Sequence, residues 1–370
     1  MDWRLVCERL EMNPDEVYSK ILKDLMEQGL SQKKFKLTGM LGGASNRGYL
    51  RLVFDSSSES SIGSLIIMLH KAPDLKQGIE EIVEQGFEIK ELPFINVLRH
   101  FRSAGVAVPE LYYVNTNAGL LYLEDLGDTL LREIVSKDDE EKKRFWLEQA
   151  LDELIRIQLK AGSLKNPEFI GFRVRFNRYL LDWELEHFQE WALEKRSGIK
   201  FSEKDRALLK QAFKKITEQL LSAPYILNHR DYHIDNLMVH NQKLWVLDFQ
   251  DALLAPYVYD LACFLYDRDT ALILGDNLIE EMIKLYFEKL KESGYQPLKF
   301  DQYRRIFDLC VLHRAFKVVG RFYFLAHSKN KPEYLNFLPA EYLVLKKYLE
   351  RFKEFRPVRL RLANYLQELA

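Results

Sequence analysis

Hydrophobic positions change their spacing twice along the chain. Residues 2–30 repeat at helical spacing and stop near Gly29. From Lys34 the period shortens. Residues 34–40 and 49–54 alternate as strands joined by the loop LGGASNRG, and 65–71 (LIIMLHK) reads as a third strand, apolar enough to be covered on both faces. The polar, serine-rich stretch 55–64 reads as a hairpin loop. A helical region with Glu81, Glu84, Glu88 and Glu91 follows, is interrupted by Pro93 and resumes to Ala104. Two further strands, 111–114 and 120–124, flank the turn NTNAG. Three strands, a helix and two strands make a compact α+β lobe. Beyond Gly127 the spacing is helical over 138–161, 173–194, 203–221, 276–293, 299–327 and 339–369. The exception is 225–252, where NLMV and LWVLDF flank the turn HNQK as a small hairpin. The pattern predicts an α+β, bilobal chain: a helical extension over 1–33, a five-stranded antiparallel lobe with one main helix over 34–126, and a mostly helical lobe over 127–370.

Composition narrows the class. A length of 370 residues with 47% hydrophobic positions is enough for two lobes. Lys and Arg total 54 against 55 Asp and Glu, a net charge of −1. That balance argues against a dedicated nucleic-acid binder and against a highly charged disordered chain. Cys7, Cys263 and Cys310 lie too far apart for a disulfide framework or a four-thiolate zinc site. The opening MDWRLVCERL is charged throughout and unlike a signal peptide. No apolar run approaches the ~18 residues that span a bilayer. The expectation is a cytoplasmic globular enzyme without membrane or nucleic-acid partners.

The candidate chemistry concentrates between His229 and Asp260. HRDYHIDN occupies 229–236, and LDFQD follows with Asp248 and Asp251. Asp231 can accept a proton from a hydroxyl nucleophile. Asn236 offers a neutral oxygen, and Asp248 a charged one, to Mg2+, which prefers hard oxygen ligands. The spacing H-R-D-x-x-x-x-N followed by an Asp on the next strand is the catalytic-loop arrangement of kinases. A lone HRD triplet would be commonplace; the joint pattern is not. Single members have blander readings. His229 reads as a structural hydrogen-bonder, and Asp260 as a clamp on the helix that follows it. His233 and Asp251 either contact substrate or serve the loop and a turn.

These residues carry a resemblance. EDLGD (124–128), HRDYHIDN, LDFQDA (247–252) and YDLA (259–262) make the chain resemble the aminoglycoside phosphotransferase-type kinases, relatives of the protein kinases, over about residues 35–350. Within that family it is most similar to the bacterial anomeric kinases of N-acetylmuramate and N-acetylglucosamine, through ASNRGYLRL (44–52), Gln250 and HRAFKVVGRF (313–322). The resemblance implies a protein-kinase-like fold, ATP and Mg2+ as cofactors, and a small-molecule acceptor, an amino sugar. It implies Asp231 as catalytic base with Arg230 positioning the loop, Asn236 and Asp248 as metal ligands, and a hinge at Glu124–Leu126 against the adenine edge. Phosphoryl transfer needs alignment and charge neutralisation more than covalent chemistry, which agrees with this residue set.

The phosphate-facing residues are less constrained. Gly42, Gly43 and Gly48 sit between two strands with Ser45, Asn46 and Arg47 at the tip, where backbone N–H groups can approach phosphates. No Walker-type GxxxxGK[ST] is present. Lys71 either pairs with the phosphates or, because Ala72-Pro73 follow, faces solvent. Residues 271–370 hold 18 basic and 12 acidic side chains, so the excess of −7 lies in 1–270. Arg314, Lys317 and Arg321 share one helical face. A basic face suits an anionic acceptor better than a polycationic aminoglycoside; the alternative is a solvated helix surface. Three readings compete: a sugar kinase, a kinase of aminoglycosides or choline-like compounds, and a nucleotide-binding pseudokinase. A protein kinase is disfavoured because no APE-like segment follows Asp248.

Overall fold

The computed structural model describes residues 1–30, 34–40, 47–55, 63–70, 90–137, 139–196 and 201–370. These fall into two compact units. One gathers the described residues within Met1–Gln77, Ile89–Leu92 and Val108–Asp128; the other gathers those within Pro93–Ala107 and Thr129–Ala370.

The first unit is a helical hairpin on an antiparallel sheet. Helices α1 (Trp3–Arg9) and α2 (Pro14–Glu27) interrupt the single helical stretch expected over 2–30. The break was written in the sequence: Asn13 caps α2 by accepting from Asp15 N–H at 2.9 Å, and Pro14 opens the helix without needing a donor partner. Strands β1 (Phe35–Met40), β2 (Arg47–Phe54), β3 (Ser64–His70), β4 (Leu111–Asn115) and β5 (Leu120–Glu124) form one sheet in the order β1-β2-β3-β5-β4. Alternate residues of β2 and β3, among them Leu50, Leu52, Leu65 and Ile67, meet Val6, Cys7, Leu10, Val17 and Ile21 in one apolar cluster. Of the extension expected over 1–33, the described residues 1–30 therefore cover this sheet face. α1 lies close against it: a Cβ on Gly48 would stand 2.6 Å from Val6. Asp24 ties α2 down by accepting from Tyr122 Oη and Asn115 Nδ2, both at 2.7 Å.

The second unit is mostly helical. It contains α3 (Pro93–Ser103), α4 (Leu131–Val135), α5 (Glu140–Ile155), α6 (Arg178–Phe188), α7 (Glu203–Leu221), α8 (Tyr259–Tyr266), α9 (Thr270–Glu292), α10 (Phe300–Ser328), α11 (Leu338–Arg351) and α12 (Arg356–Leu362). α3 belongs here, whereas the sequence reading placed it with the strands. The reason is packing: Phe94 and Phe101 lie against Phe249, and Asn96 pairs with Glu168 O and Ile170 N–H. Two π-helical segments, Arg156–Ala161 and Gln189–Lys195, extend α5 and α6. The expected hairpin is present as β7 (Leu237–His240) and β8 (Lys243–Val246). A second pair, β6 (Tyr225–Asn228) with β9 (Leu253–Pro256), brackets it. The long stretch expected over 339–369 divides into α11 and α12 near Phe352. Among the described residues no helix is long and apolar enough to cross a membrane.

Candidate active site

The loop from His229 to Asn236 joins β6 to β7, and its backbone is pinned at several points. Asp260, in the first turn of α8, accepts the N–H groups of His229 at 2.5 Å and Arg230 at 2.9 Å. The expectation that Asp260 serves its own helix is thus corrected. Its carboxylate clamps the loop, because buried N–H groups with no water at hand need a partner. Burial pushes its pKa up to about 7, with the two bonds pulling the other way. Cys263 Sγ donates to Arg230 O at 3.2 Å.

His229 does what its sequence position suggested. Nδ1 accepts from Asp231 N–H at 3.3 Å and Nε2 donates to Leu247 O at 2.8 Å, which specifies one neutral tautomer. Burial pushes its pKa down to about 4. We expect an NMR titration from pH 8 to pH 5 to show no midpoint for this ring. A midpoint near the ordinary histidine value would contradict the placement.

Asp231 stands among the cations Lys317, Arg230 and Arg314, with the buried His233 beside them neutral near pH 7. Burial works to raise the Asp231 carboxyl, but Lys317, Arg230 and Arg314 more than offset this and hold it well below the usual carboxylate range. It is an anion throughout the physiological range. The cations are themselves held. Glu184, fully buried on α6, lies 2.9 Å from Lys317, 3.7 Å from Arg230 and 3.8 Å from His313. Arg314 donates to Tyr259 Oη at 3.1 Å and Asp267 Oδ2 at 2.5 Å. Of the predicted basic face, then, Arg314 is buried and acts on Asp231 through its field, Lys317 is half-buried, and Arg321 is exposed.

Asn236 donates from Nδ2 to Asp231 O at 2.9 Å, so the amide nitrogen and not Oδ1 ties the side chain to the loop. Leu247 N–H bonds Asn236 O at 2.9 Å and so brings the next residue, Asp248, beside it. Gln250 Nε2 reaches Asp248 Oδ1 at 3.3 Å and Asp251 Oδ2 at 2.8 Å. Burial raises the Asp251 carboxyl. Arg230 and Asp248 both adopt positive φ, 83° and 58°. Such backbone costs about 1–3 kcal/mol per residue and persists where surrounding bonds enforce it.

Three groups escaped the sequence reading. Glu184 is one. Asp235, inside the motif, is another: it pairs with both Arg132 and Arg268, and Arg132 also reaches Asp269 at 2.7 Å. The third is Asp267, the counter-ion of Arg314. Only Asp235 had a signal, its place within HRDYHIDN. His233 is buried, with Nε2 3.3 Å from Asn236 Nδ2 and Nδ1 without a hydrogen bond among the described residues.

The predicted nucleotide-side residues belong to the first unit. Arg47 opens β2, and its carbonyl accepts from Arg9 at 3.1 Å. Glu124 ends β5 and accepts from Glu110 N–H at 3.1 Å; Leu126 is buried. Arg51 clasps this segment by donating to Asp125 at 3.1 Å, Gly127 O at 2.9 Å and Asp128 at 2.8 Å. Ser45, Asn46 and Lys71 lie outside the described residues, as do Gly42, Gly43, Glu81, Glu84 and Glu88.

An ionised carboxylate on a clamped loop, with an amide and a second carboxylate at its far end, is the layout of a phosphotransferase acting on a hydroxyl. The chain belongs to the phosphotransferase enzyme family (APH), whose family profile matches residues 36–300. It is 28% identical over 339 residues to an N-acetylmuramate/N-acetylglucosamine kinase of Neisseria meningitidis, covering 91% of this chain and 92% of the relative. It is 30% identical over 278 residues to one of Pseudomonas aeruginosa, covering 75% and 78%. Among solved structures it is similar in fold to a choline/ethanolamine kinase family protein from Mesorhizobium loti, with TM-score 0.57, 14% identity, and 94% and 99% of the two chains covered. It is also similar to the ADP-bound aminoglycoside phosphotransferase APH(2'')-Ib, with TM-score 0.55, 12% identity, and 90% and 97% covered. The fold is thus protein-kinase-like, with a five-stranded antiparallel sheet and a mostly helical remainder.

Proposed function

We propose that the chain is an ATP- and Mg2+-dependent kinase that phosphorylates the anomeric hydroxyl of N-acetylmuramate and N-acetylglucosamine. The observation that carries this reading is Asp231, held as an anion by Lys317, Arg230 and Arg314 on the loop that also presents Asn236. A carboxylate so easily ionised is a weak base. It suits an acidic acceptor, and the anomeric hydroxyl is the most acidic of a sugar because the ring oxygen withdraws charge from its carbon. It also suits a loose transition state, in which the acceptor's proton leaves late. Asp231 orients the hydroxyl and takes its proton; Arg230 fixes the loop and, with Lys317, stabilises the charged base.

Asn236 and Asp248 fit Mg2+. Among the described residues no trio of His, Cys, Asp or Glu gathers as a metal cage. A metal here would rest on two side chains, with water and phosphate oxygens completing its shell, as Mg2+ prefers. Bound there, it would neutralise charge on the transferring phosphoryl group. Nucleotide recognition is assigned to the first unit, through the backbone of Glu124 and Leu126 with Arg51 bracing the segment. Arg47, and Ser45, Asn46 and Lys71 beyond the described residues, remain candidates for the phosphates. His233, Asp251, Arg314 and Lys317 are the candidates for the acceptor side: His233 lies on the loop itself, Lys317 and Arg314 act on the base through their charge, and Asp251 is tied to Gln250.

The test is ADP release with Mg-ATP across N-acetylmuramate, N-acetylglucosamine, other hexoses, kanamycin and choline. Turnover with the N-acetylated sugars is expected. Turnover only with kanamycin or choline would keep Asp231 in place and overturn the acceptor. No turnover with nucleotide still bound would favour a pseudokinase.

A further inference from the structure

α6 and α10 cross backbone to backbone. A Cβ on Gly320 would stand 2.7 Å from Phe188 Cα. Before the crossing lies the Glu184–Lys317 pair that faces Asp231. From the level of Glu184 on α6 to two turns beyond the pair on both helices lies a group of rings the chemistry so far leaves unused. Trp183 stacks on His187 at 5.3 Å, and both His187 and Trp191 meet Phe324 steeply tilted, at 5.3 and 5.0 Å. Rings gathered only for stability would be covered, yet Trp183, Trp191 and Phe324 are all half-exposed. The His187 Nε2 is buried and has no hydrogen-bond partner among the described residues, which is uncommon for a buried polar atom. Cations rim the rings: Lys195 lies 4.0 Å over Trp191 and Arg321 lies 4.9 Å over Phe324. Lys317, Arg321 and Phe324 follow one another at i, i+4 and i+7, so the patch continues the face that begins at the base. The segment bearing Trp191 is π-helical, a geometry concentrated at functional sites.

An aromatic platform beside charged groups is the surface a pyranose with polar substituents requires. Its C–H face packs on the rings, and its substituents reach the rim. We propose that Trp183, with Trp191 and Phe324, is the platform on which the acceptor sugar stacks, and that Arg321 reads a carboxylate carried by that sugar. The inference rests on the sugar-kinase reading and adds to it the residues that select the acceptor. His187 Nε2, unpaired at the floor of the platform, is placed to meet an acetamido group. N-acetylmuramate carries a carboxylate and N-acetylglucosamine does not, so the pair isolates the role of Arg321.

The experiment measures kcat and KM for both sugars and for ATP in the wild type, R321Q, R321K, W183A and W183F. R321Q should lower the ratio of kcat/KM for N-acetylmuramate over N-acetylglucosamine about tenfold, the scale of one charge-assisted hydrogen bond, with R321K recovering part of it. W183A should raise KM for both sugars about tenfold with little change in KM for ATP, and W183F should recover most of the loss. Arg321 is exposed, so its variants fold, and W183F guards against a folding defect in W183A. A ratio that R321Q does not move, or a W183A effect as large on ATP as on sugar, overturns the proposal while leaving the sugar kinase standing. A wild type inert on both sugars overturns the functional reading and this one with it.

Discussion

Asp231→Asn should lower kcat by about 10²–10⁴-fold, the range that a positioned proton acceptor contributes. The substitution keeps shape and hydrogen-bonding capacity while removing the charge that Lys317, Arg230 and Arg314 hold in place. Nucleotide binding should be little affected, so the thermal shift given by Mg-ATP should persist while turnover disappears. The direction of any stability change is informative too. In the wild type the ionised carboxylate is favoured by its cations, and the variant leaves Lys317 and Arg230 with Glu184 alone as shared counter-ion. A modest loss of stability without nucleotide is expected, because a buried charge cluster that loses one member is poorly compensated. Normal turnover in this variant would remove Asp231 from the mechanism.

Asp248→Ala should act on the metal. If Asp248 supplies the charged ligand, its loss should weaken the response to Mg-ATP by more than the ~10–100-fold in metal affinity that removal of an outer-shell partner costs. The signature is a split. The thermal shift by nucleotide without Mg2+ should survive, and the added increment with Mg2+ should vanish. The φ of 58° at this position adds a second effect. Alanine does not favour that backbone, and it also releases Gln250, which bonds both Asp248 and Asp251. Asp248→Asn, which tolerates positive φ, separates the two causes. It should keep the local backbone and still lose most of the Mg2+ response. A Mg2+ increment of wild-type size in both variants would place the metal elsewhere.

How much of this was legible beforehand depended on the distance over which each relation acts. The loop HRDYHIDN and the carboxylate of LDFQD lie within twenty residues of one another, and their spacing is their chemistry. The five strands showed because alternation is local, as in Leu50 and Leu52 facing α1. The environment of Asp231 was not visible, since Lys317 and Glu184 come together only when α6 packs on α10. α10 itself gave a misleading signal. Leu309, Cys310, Val311 and Leu312 are all buried, so the helix has core on several sides, and its cations could not be sorted into exposed and buried by period alone. α3 was assigned to the strands because it follows them in sequence, while its partner Phe249 is far along the chain. Asn13-Pro14 was a readable break within 2–30. The pairing of β6 with β9 was not, since their residues give no alternation of their own in strands of four.

The π-helical stretch after Phe188 has an angular consequence. Four residues overshoot one α turn of 3.6 residues, so Trp183 and His187 are offset around the helix axis in one sense. The same four-residue step undershoots the wider π turn, so from His187 to Trp191 the offset reverses as the helix widens. The two deviations oppose each other, and three aromatic side chains spaced by four stay in one column rather than spiralling away from Phe324. Deleting a single residue here would restore an α-helical period and rotate everything beyond it off that column. The widened turn thus works as a phase correction, and its tolerance to insertion or deletion should be far narrower than that of the surface loops around it.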